Sequence, residues 1–450
     1  MTNRFIKFAA AVAPAALLLA VGATPANAKV LLMGDGGWEV SFDGSVNGFA
    51  VWTGNQPPVT NTIVNGVTET HSGGAIDTGA DTRDSFRVRT GLLPAVWGMN
   101  VKAPTTGGLD MAARIGIYPN ISNNTKNSFG SSSESQLDLR EIFFTVDGSF
   151  GQALVGKTLS QFLGKNILTD QTLFGIGATG GNHGAGTTLG RIGFGYPYPQ
   201  FNARIQYTTP DMSGFKVSVG AYDPSVINSN QALGLTADRT TTPRFEGEAS
   251  WAGSLAGTTD LAWISGMDQS STFSSASPGT LGGSSVNVWG FAGGLQVGIP
   301  VGPGTLELMG SGYVGSGIGT TLQLDTDSLD GWGTPRDNDG FIGQVGYAFG
   351  QGTKLQASYG ESTADETSSE SICRTAPTTA GAIDNGISCA AAEGTARANL
   401  ERQDLWDVML SHDINPNLKL VAEYGRQSEE WFDGKSLDGN VFGVGAFFFL

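Results

Sequence analysis

From residue 38 onward the chain alternates. Val40, Phe42, Val46 and Ala50 share one parity, and Glu39, Ser41, Asp43, Ser45 and Asn47 share the other. A period of two, with one apolar and one polar face, predicts a β-strand. The pattern returns at Phe86 and Val88 against Arg87 and Arg89, and at Met111, Ala113, Ile115 and Ile117 against Asp110 and Arg114. It returns again at Phe215, Val217 and Val219 against Lys216 and Ser218, and at Phe245, Ala249 and Trp251 against Arg244, Glu246 and Glu248. Leu355, Ala357 and Tyr359 alternate with Lys354, Gln356 and Ser358; Leu418, Leu420, Ala422 and Tyr424 alternate with Lys419 and Glu423. Each stretch runs for roughly 8 to 14 residues, the length a tilted strand needs to cross a bilayer.

The connections alternate as well. Short turns fall at 105–108, 147–151, 210–214, 254–259, 300–304, 351–352 and 415–417. Longer polar segments fall between them at 54–83, 122–136, 160–200, 225–243, 270–285, 316–338, 361–403 and 427–440. These connections join sixteen strands, with both chain ends on the short-turn side. Peptide groups in hydrocarbon must all be paired, so a sheet that crosses lipid has to close on itself. The expected fold is therefore all-β: a transmembrane antiparallel β-barrel of sixteen strands, apolar outside and polar inside. A barrel of this size is too wide for side chains to fill, which leaves an aqueous channel. Trp38, Trp52, Trp251, Trp263, Trp289, Trp406, Tyr347, Tyr359 and Tyr424 lie near strand ends, where amphipathic rings prefer the membrane interface.

Composition narrows the picture further. Arg4 and Lys7, the apolar run after them and Ala26-Asn27-Ala28 form a secretory leader over residues 1–28, so the mature pore domain is expected at 29–450. Removing the leader takes the formal charge from −16 to −18. So acidic a chain is a poor partner for nucleic acid. Cys373 and Cys389, close together in one polar segment of an exported chain, are expected to form a disulfide. His71, His183 and His412 lie in unrelated segments, and no metal site or cofactor is expected. No nucleophile–base pattern appears, so no enzymatic activity is expected. Gly175–Gly180 matches GxGxxG but lacks the strand and helix that would give it meaning, and is read as a flexible loop. The acids around Asp325, Asp327 and Asp330, and around Asp337 and Asp339, look like fragments of calcium loops. Neither completes the ligand pattern.

The stretch Leu139-Arg140-Glu141-Ile142-Phe143-Phe144-Thr145-Val146-Asp147-Gly148 continues through Val155-Gly156-Lys157-Thr158-Leu159 and Gly164-Lys165-Asn166-Ile167-Leu168-Thr169-Asp170. With it, the whole mature chain resembles the Gram-negative general porins. The final strand, Val441 to Leu450, resembles the assembly signal of outer-membrane barrels, with Leu450 where that family usually ends in Phe. The Pro-Glu-Phe-Gly-Gly motif of the enterobacterial porins is absent. The resemblance implies a homotrimer in the outer membrane of a Gram-negative bacterium, surrounded by lipid and lipopolysaccharide. It also implies that the third long loop, 160–200, folds into the lumen as a constriction.

Matched to that family, Lys157 resembles the basic residue before the third loop, and Asp170, the acid of that loop, is the natural opposing charge. Arg87, Arg89 and Arg114 have the parity to point inward, and Lys165 can join either side. Arg140 has a parity that conflicts with Ile142 and Phe144 facing lipid, and its direction stays open. The expected function is passive diffusion of small hydrophilic solutes and ions, with a mild preference for cations. Alternatives are a substrate-selective channel, or a surface barrel whose loops act as adhesin or receptor.

Overall fold

A computed structural model describes residues 29–55, 63–64, 67–72, 84–121, 137–179, 187–229, 235–275, 277–325, 328–375, 382–392 and 396–450. The expected leader lies outside them. Sixteen antiparallel staves make one closed barrel. They are β1 Trp38–Asn55, β2 in two halves Asp84–Arg89 and Val96–Lys102, β3 Asp110–Pro119, β4 Leu137–Gly148, β5 Gly151–Leu159, β6 Phe201–Thr208, β7 Phe215–Tyr222 and β8 Arg244–Gly253. There follow β9 Thr259–Phe273, β10 Ser285–Val301, β11 Gly304–Ser316, β12 Asp337–Ala348, β13 Thr353–Ala364, β14 Ala396–Asn415, β15 Leu418–Trp431 and β16 Ser436–Phe449. Two helices matter below: α1, Gly164–Leu168, and α2, Ser368–Thr375. Among the described residues no helix is long and apolar enough to cross a membrane.

Closure is made by β1 and β16, paired from Ser45↔Phe449 to Asn55↔Gly439. The lower part of β1 runs past the end of β16. There an additional N-terminal strand, Lys29–Asp35, takes over the pairing from Lys29↔Asp43 to Asp35↔Trp38. The Leu450 amide donates to the Gly44 carbonyl at the junction. The free edge that a staggered barrel would leave at its seam is thereby covered.

The expected turns are found at their places, but several expected loops are shorter than the polarity pattern suggested. β9, β14 and β15 run on to Phe273, back to Ala396 and on to Trp431. These strands continue beyond the apolar belt, where polar outward residues are compatible with water.

Alternation sorts the faces. Phe86, Val88, Trp97, Met99, Ile142, Phe144, Phe291, Phe341, Val408 and Phe448 are exposed on the outer face, as lipid-facing residues must be. Trp263 is a correction to the expected girdle. Its neighbour Ile264 is 67% exposed, whereas Trp263 is 3% exposed and takes the inner parity of β9. The inner face also departs from uniform polarity. Phe49, Val51, Met409, Val421, Val441, Phe447 and Phe449 form an inner apolar patch with Ile176 and Phe174 of the 160–200 segment. Met267, Val288, Ala292, Met309 and Ile342 pack with Phe162, Leu163, Ile167 and Ile192 of the same segment. Those segment residues need cover, and burial of each such side chain is worth about 1.5–3 kcal/mol.

Candidate functional site

The 160–200 segment leaves β5, makes α1 and returns to β6. Its contacts reach inner-face side chains of strands far apart in sequence. The amides of Gln161 and Phe162 donate to Glu246 on β8 at 2.9 Å each. Trp263 Nε1 on β9 donates to Asn166 Oδ1 at 3.1 Å. Gln344 on β12 accepts from the Gln171 amide at 2.7 Å. Gln356 on β13 donates to the Gln171 carbonyl at 2.5 Å.

At β14 and β15 the contacts become ionic. Arg191 pairs with Asp407 at 2.8 Å, both side chains 0% exposed, and it also donates to the Leu405 carbonyl. Glu423 accepts the amides of Ile176 at 2.5 Å and Gly177 at 3.1 Å. The glycine-rich turn thus closes two successive backbone N–H groups on a carboxyl side chain of the wall. A Cβ on Gly175 would come within 2.1 Å of the Glu423 carboxylate, and Gly177 sits at φ 50° against the backbone of Gly190. Gly177 therefore requires glycine, and a side chain at Gly175 would have to displace the Glu423 carboxyl.

The expected constriction residues separate into different settings. Arg89 is buried and donates to the carbonyls of Thr179 (3.0 Å) and Thr187 (2.8 Å), both in the segment. Arg87, two residues earlier, shares its inward parity opposite buried Val51 and is exposed. Between the halves of β2, Thr90 to Ala95 leaves the wall and meets the segment: the Leu92 amide donates to Gly175 and the Thr188 amide to Gly91. Asn47 holds the excursion, accepting from the Gly91 amide and donating to the Leu93 carbonyl.

Arg114 is buried apart from the segment. It pairs with Asp43 at 2.7 Å and Glu141 at 2.7 Å and donates to Asn100 at 2.9 Å. Two carboxylates therefore offset its charge.

Lys165, on α1, pairs with Glu248 on β8 at 3.0 Å, the side chains 27% and 13% exposed. Asp170 is fully buried and does not face solvent as an opposing charge. It accepts from Tyr196 Oη (2.7 Å), Gln344 Nε2 (2.6 Å) and both the amide and hydroxyl of Thr172 (2.9 Å each). Lys157 is paired with outward Ile142 and shares the parity of exposed Val155; its ammonium donates to the Leu139 carbonyl at 3.3 Å. It is not brought together with the others. Cys373 and Cys389 are bonded, with Cα atoms 5.5 Å apart.

Arg140 resolves its own ambiguity. Gly116 pairs with Glu141, but Ile117 pairs with Leu139, so Arg140 is the extra residue of a β-bulge. The bulge turns its guanidinium over the rings of Tyr118 and Phe201, at 5.3 and 5.7 Å, and toward Tyr198 Oη at 3.1 Å. Arg191, Asp407 and Glu423 were not singled out from sequence as anchors. Glu423 and the β8 acids had been read on the polar face, but polarity alone does not say which segment they hold.

Residues 11–297 match the family described as Gram-negative porin. No curated protein matched the sequence. Among solved structures, the chain is similar to the outer membrane channel DcaP of Acinetobacter baumannii, with TM-score 0.63 and 16% identity over 94% of this chain and 100% of that one. It is also similar to an anion-selective porin from Comamonas acidovorans, with TM-score 0.54 and 12% identity over 91% and 100%. Salmonella typhi OmpF, solved with daunomycin, gives TM-score 0.51 and 11% identity over 92% and 99%.

Proposed function

The chain belongs to the Gram-negative porin family and is an outer-membrane channel for passive diffusion of small solutes, not an enzyme; on that premise we propose that the 160–200 segment folds into the lumen and sets its narrowest point. The observation that carries this reading is the spread of its partners: the segment is bonded to inner-face residues of β8, β9, β12, β13, β14 and β15. A segment tied to so many staves of one closed ring lies across the ring. Of the charges considered from sequence, Arg87, Arg89 and Lys165 are the ones we place at this narrowing. Hydrated ions would pass it by exchanging water for such fixed charges. Cation preference stays mild, because most inward bases are offset by acids. The leader at 1–28, a homotrimeric assembly, and a surrounding of outer-membrane lipid and lipopolysaccharide complete the proposal.

Reconstitution in a planar bilayer tests it. Stepwise conductance is expected, and a reversal potential across a salt gradient reads the selectivity. Alanine at Arg87 and Arg89 together shifts that potential toward cations; an unchanged potential removes both from the narrowing.

A second reading concerns the outer loops. The disulfide and the shared apolar cluster around Trp332 favour an ordered surface that a partner could bind in addition to conduction.

A further inference from the structure

Inside the barrel the charges of the wall are unevenly spread. On the parts of β1–β4 next to the short turns, Glu39, Asp43, Asp110, Glu141 and Asp147 share the inward parity of buried Ser41, Arg114 and Thr145. The inward bases there are Lys102 and Arg114. Arg114 holds both Asp43 and Glu141, and Lys102 lies opposite Glu39 in the ladder. Five carboxylates therefore face two cations, an excess of three negative charges. The short-turn half of β7–β15 is balanced by contrast. Lys354 on β13 pairs with Glu307 on β11 at 2.9 Å, Lys419 on β15 with Asp413 on β14 at 2.6 Å, and Lys216 on β7 lies 3.8 Å from Asp211 in the turn before it.

Asp110 and Asp147 carry most of that excess. They stand directly opposite each other on β3 and β4. Like charges so placed destabilise a sheet. The Thr105 hydroxyl donates to Asp110, and Gln152 Nε2 donates to Asp147 at 2.7 Å. Both donors are neutral, so they hold the carboxylates without offsetting them. Among the described residues neither acid has an ion-pair partner. On the long-loop side, β7–β14 are covered by one apolar cluster. It runs from Phe162 and Ile167 of the 160–200 segment through Ile227, Phe273 and Trp332 to Cys373 of α2. That leaves the β1–β4 side for water, and Arg87 on β2 is exposed there. A solute ion that follows the water then runs along the acidic wall.

We propose that Asp110 and Asp147 set the ion preference of the channel from its short-turn mouth, by gathering small cations along β1–β4, and that conduction in dilute salt therefore depends on direction. The proposal rests on the reading that the chain conducts ions. A unit charge about 10 Å from an ion in water changes the local ion concentration about twofold. Its reach is about 30 Å in 0.01 M salt and about 3 Å in 1 M salt. Cations driven in from the short-turn side come from an enriched supply and accumulate above the acidic wall. Driven the other way, they leave the upper lumen depleted. The larger current flows with the short-turn side positive, and the difference fades as salt screens the carboxylates.

Single channels of the full protein in a planar bilayer test this with KCl alone. In about 0.01 M salt the currents at equal and opposite voltages differ about twofold or more, and in about 1 M salt they are equal. Asp110→Asn combined with Asp147→Asn brings the dilute-salt ratio close to one and lowers the cation-to-anion permeability ratio about two- to fourfold. Glu307→Gln combined with Lys354→Met, which removes a matched pair elsewhere on the wall, changes neither. Equal wild-type currents in dilute salt, or an unaltered permeability ratio in the double Asn variant, overturns the proposal. Denaturation in detergent reads the same charges without conduction. The double Asn variant has a higher denaturant midpoint than the wild type in dilute salt, and the gain vanishes at about 1 M. Absence of that gain means that the two carboxylates do not repel, and it overturns the gathering of cations. A silent bilayer with the gain present refutes conduction and leaves the gathering of cations standing.

Discussion

The 160–200 segment is fastened to the wall at β14–β15 and at β8, and the two fastenings differ in their water. At β14–β15 the crossing ion pair, Arg191–Asp407, is wholly dry, and the glycine turn closes over Glu423 beside it. At β8 the dry pair, Arg244–Glu246, lies within the wall, and the pair that crosses to the segment, Lys165–Glu248, keeps some solvent. A dry crossing pair fixes position, because removing either partner strands a charge out of water. A half-wet crossing pair holds weakly and leaves charge available to a passing ion. One segment is therefore held by a dry ion pair on one side and a partly hydrated one on the other.

The largest effect is expected where the pair is dry. Arg191→Met leaves Asp407 buried without its cation and costs about 3–5 kcal/mol. Denaturant midpoints in detergent measure it, and liposome swelling should show larger solutes passing. Adding Asp407→Leu should recover most of the loss; no recovery would mean that the pair is not the cause.

Next comes Glu423→Ala, expected to cost about 1–3 kcal/mol because the two buried amides that donate to it lose their acceptor. Faster amide exchange at Ile176 and Gly177 would register it, and unchanged exchange would break the contrast. Lys165→Ala should change stability by at most about 1 kcal/mol, yet move the reversal potential toward cations by leaving Glu248 unpaired. Lys157→Ala should do neither, staying within about 0.5 kcal/mol with an unaltered reversal potential, since its side chain is on the outer face. A Lys157 effect on selectivity as large as that of Lys165 would overturn the assignment of faces.

Most of the fold was legible residue by residue. Parity placed Phe86 and Val88 outside and Arg87 and Arg89 inside without reference to any partner. It also placed Arg114 correctly, but gave no hint that Asp43 and Glu141 neutralise it. Asp170 was recognisable as the acid of the segment; its burial under Tyr196 and Gln344 was not, because Gln344 is 174 residues away. Lys157 was assigned by resemblance, and its parity on β5 puts it on the other face. Glycines 175 and 177 matched GxGxxG and were read as a flexible loop, whereas their turn closes on the Glu423 carboxyl of the wall.

Taken alone, the amino-acid order determined the number of crossings, the outer and inner faces and the side on which the long loops emerge. Those follow from a period of two and from the demand of hydrocarbon that every peptide group be paired, both of which act locally along each strand. Tertiary structure alone decided which inward charges stay wet and which are sealed, where Arg140 is aimed and why Trp263 leaves the girdle. A one-residue bulge reverses parity, and burial depends on residues far apart in sequence meeting, such as Ile176 and Glu423, 247 positions apart.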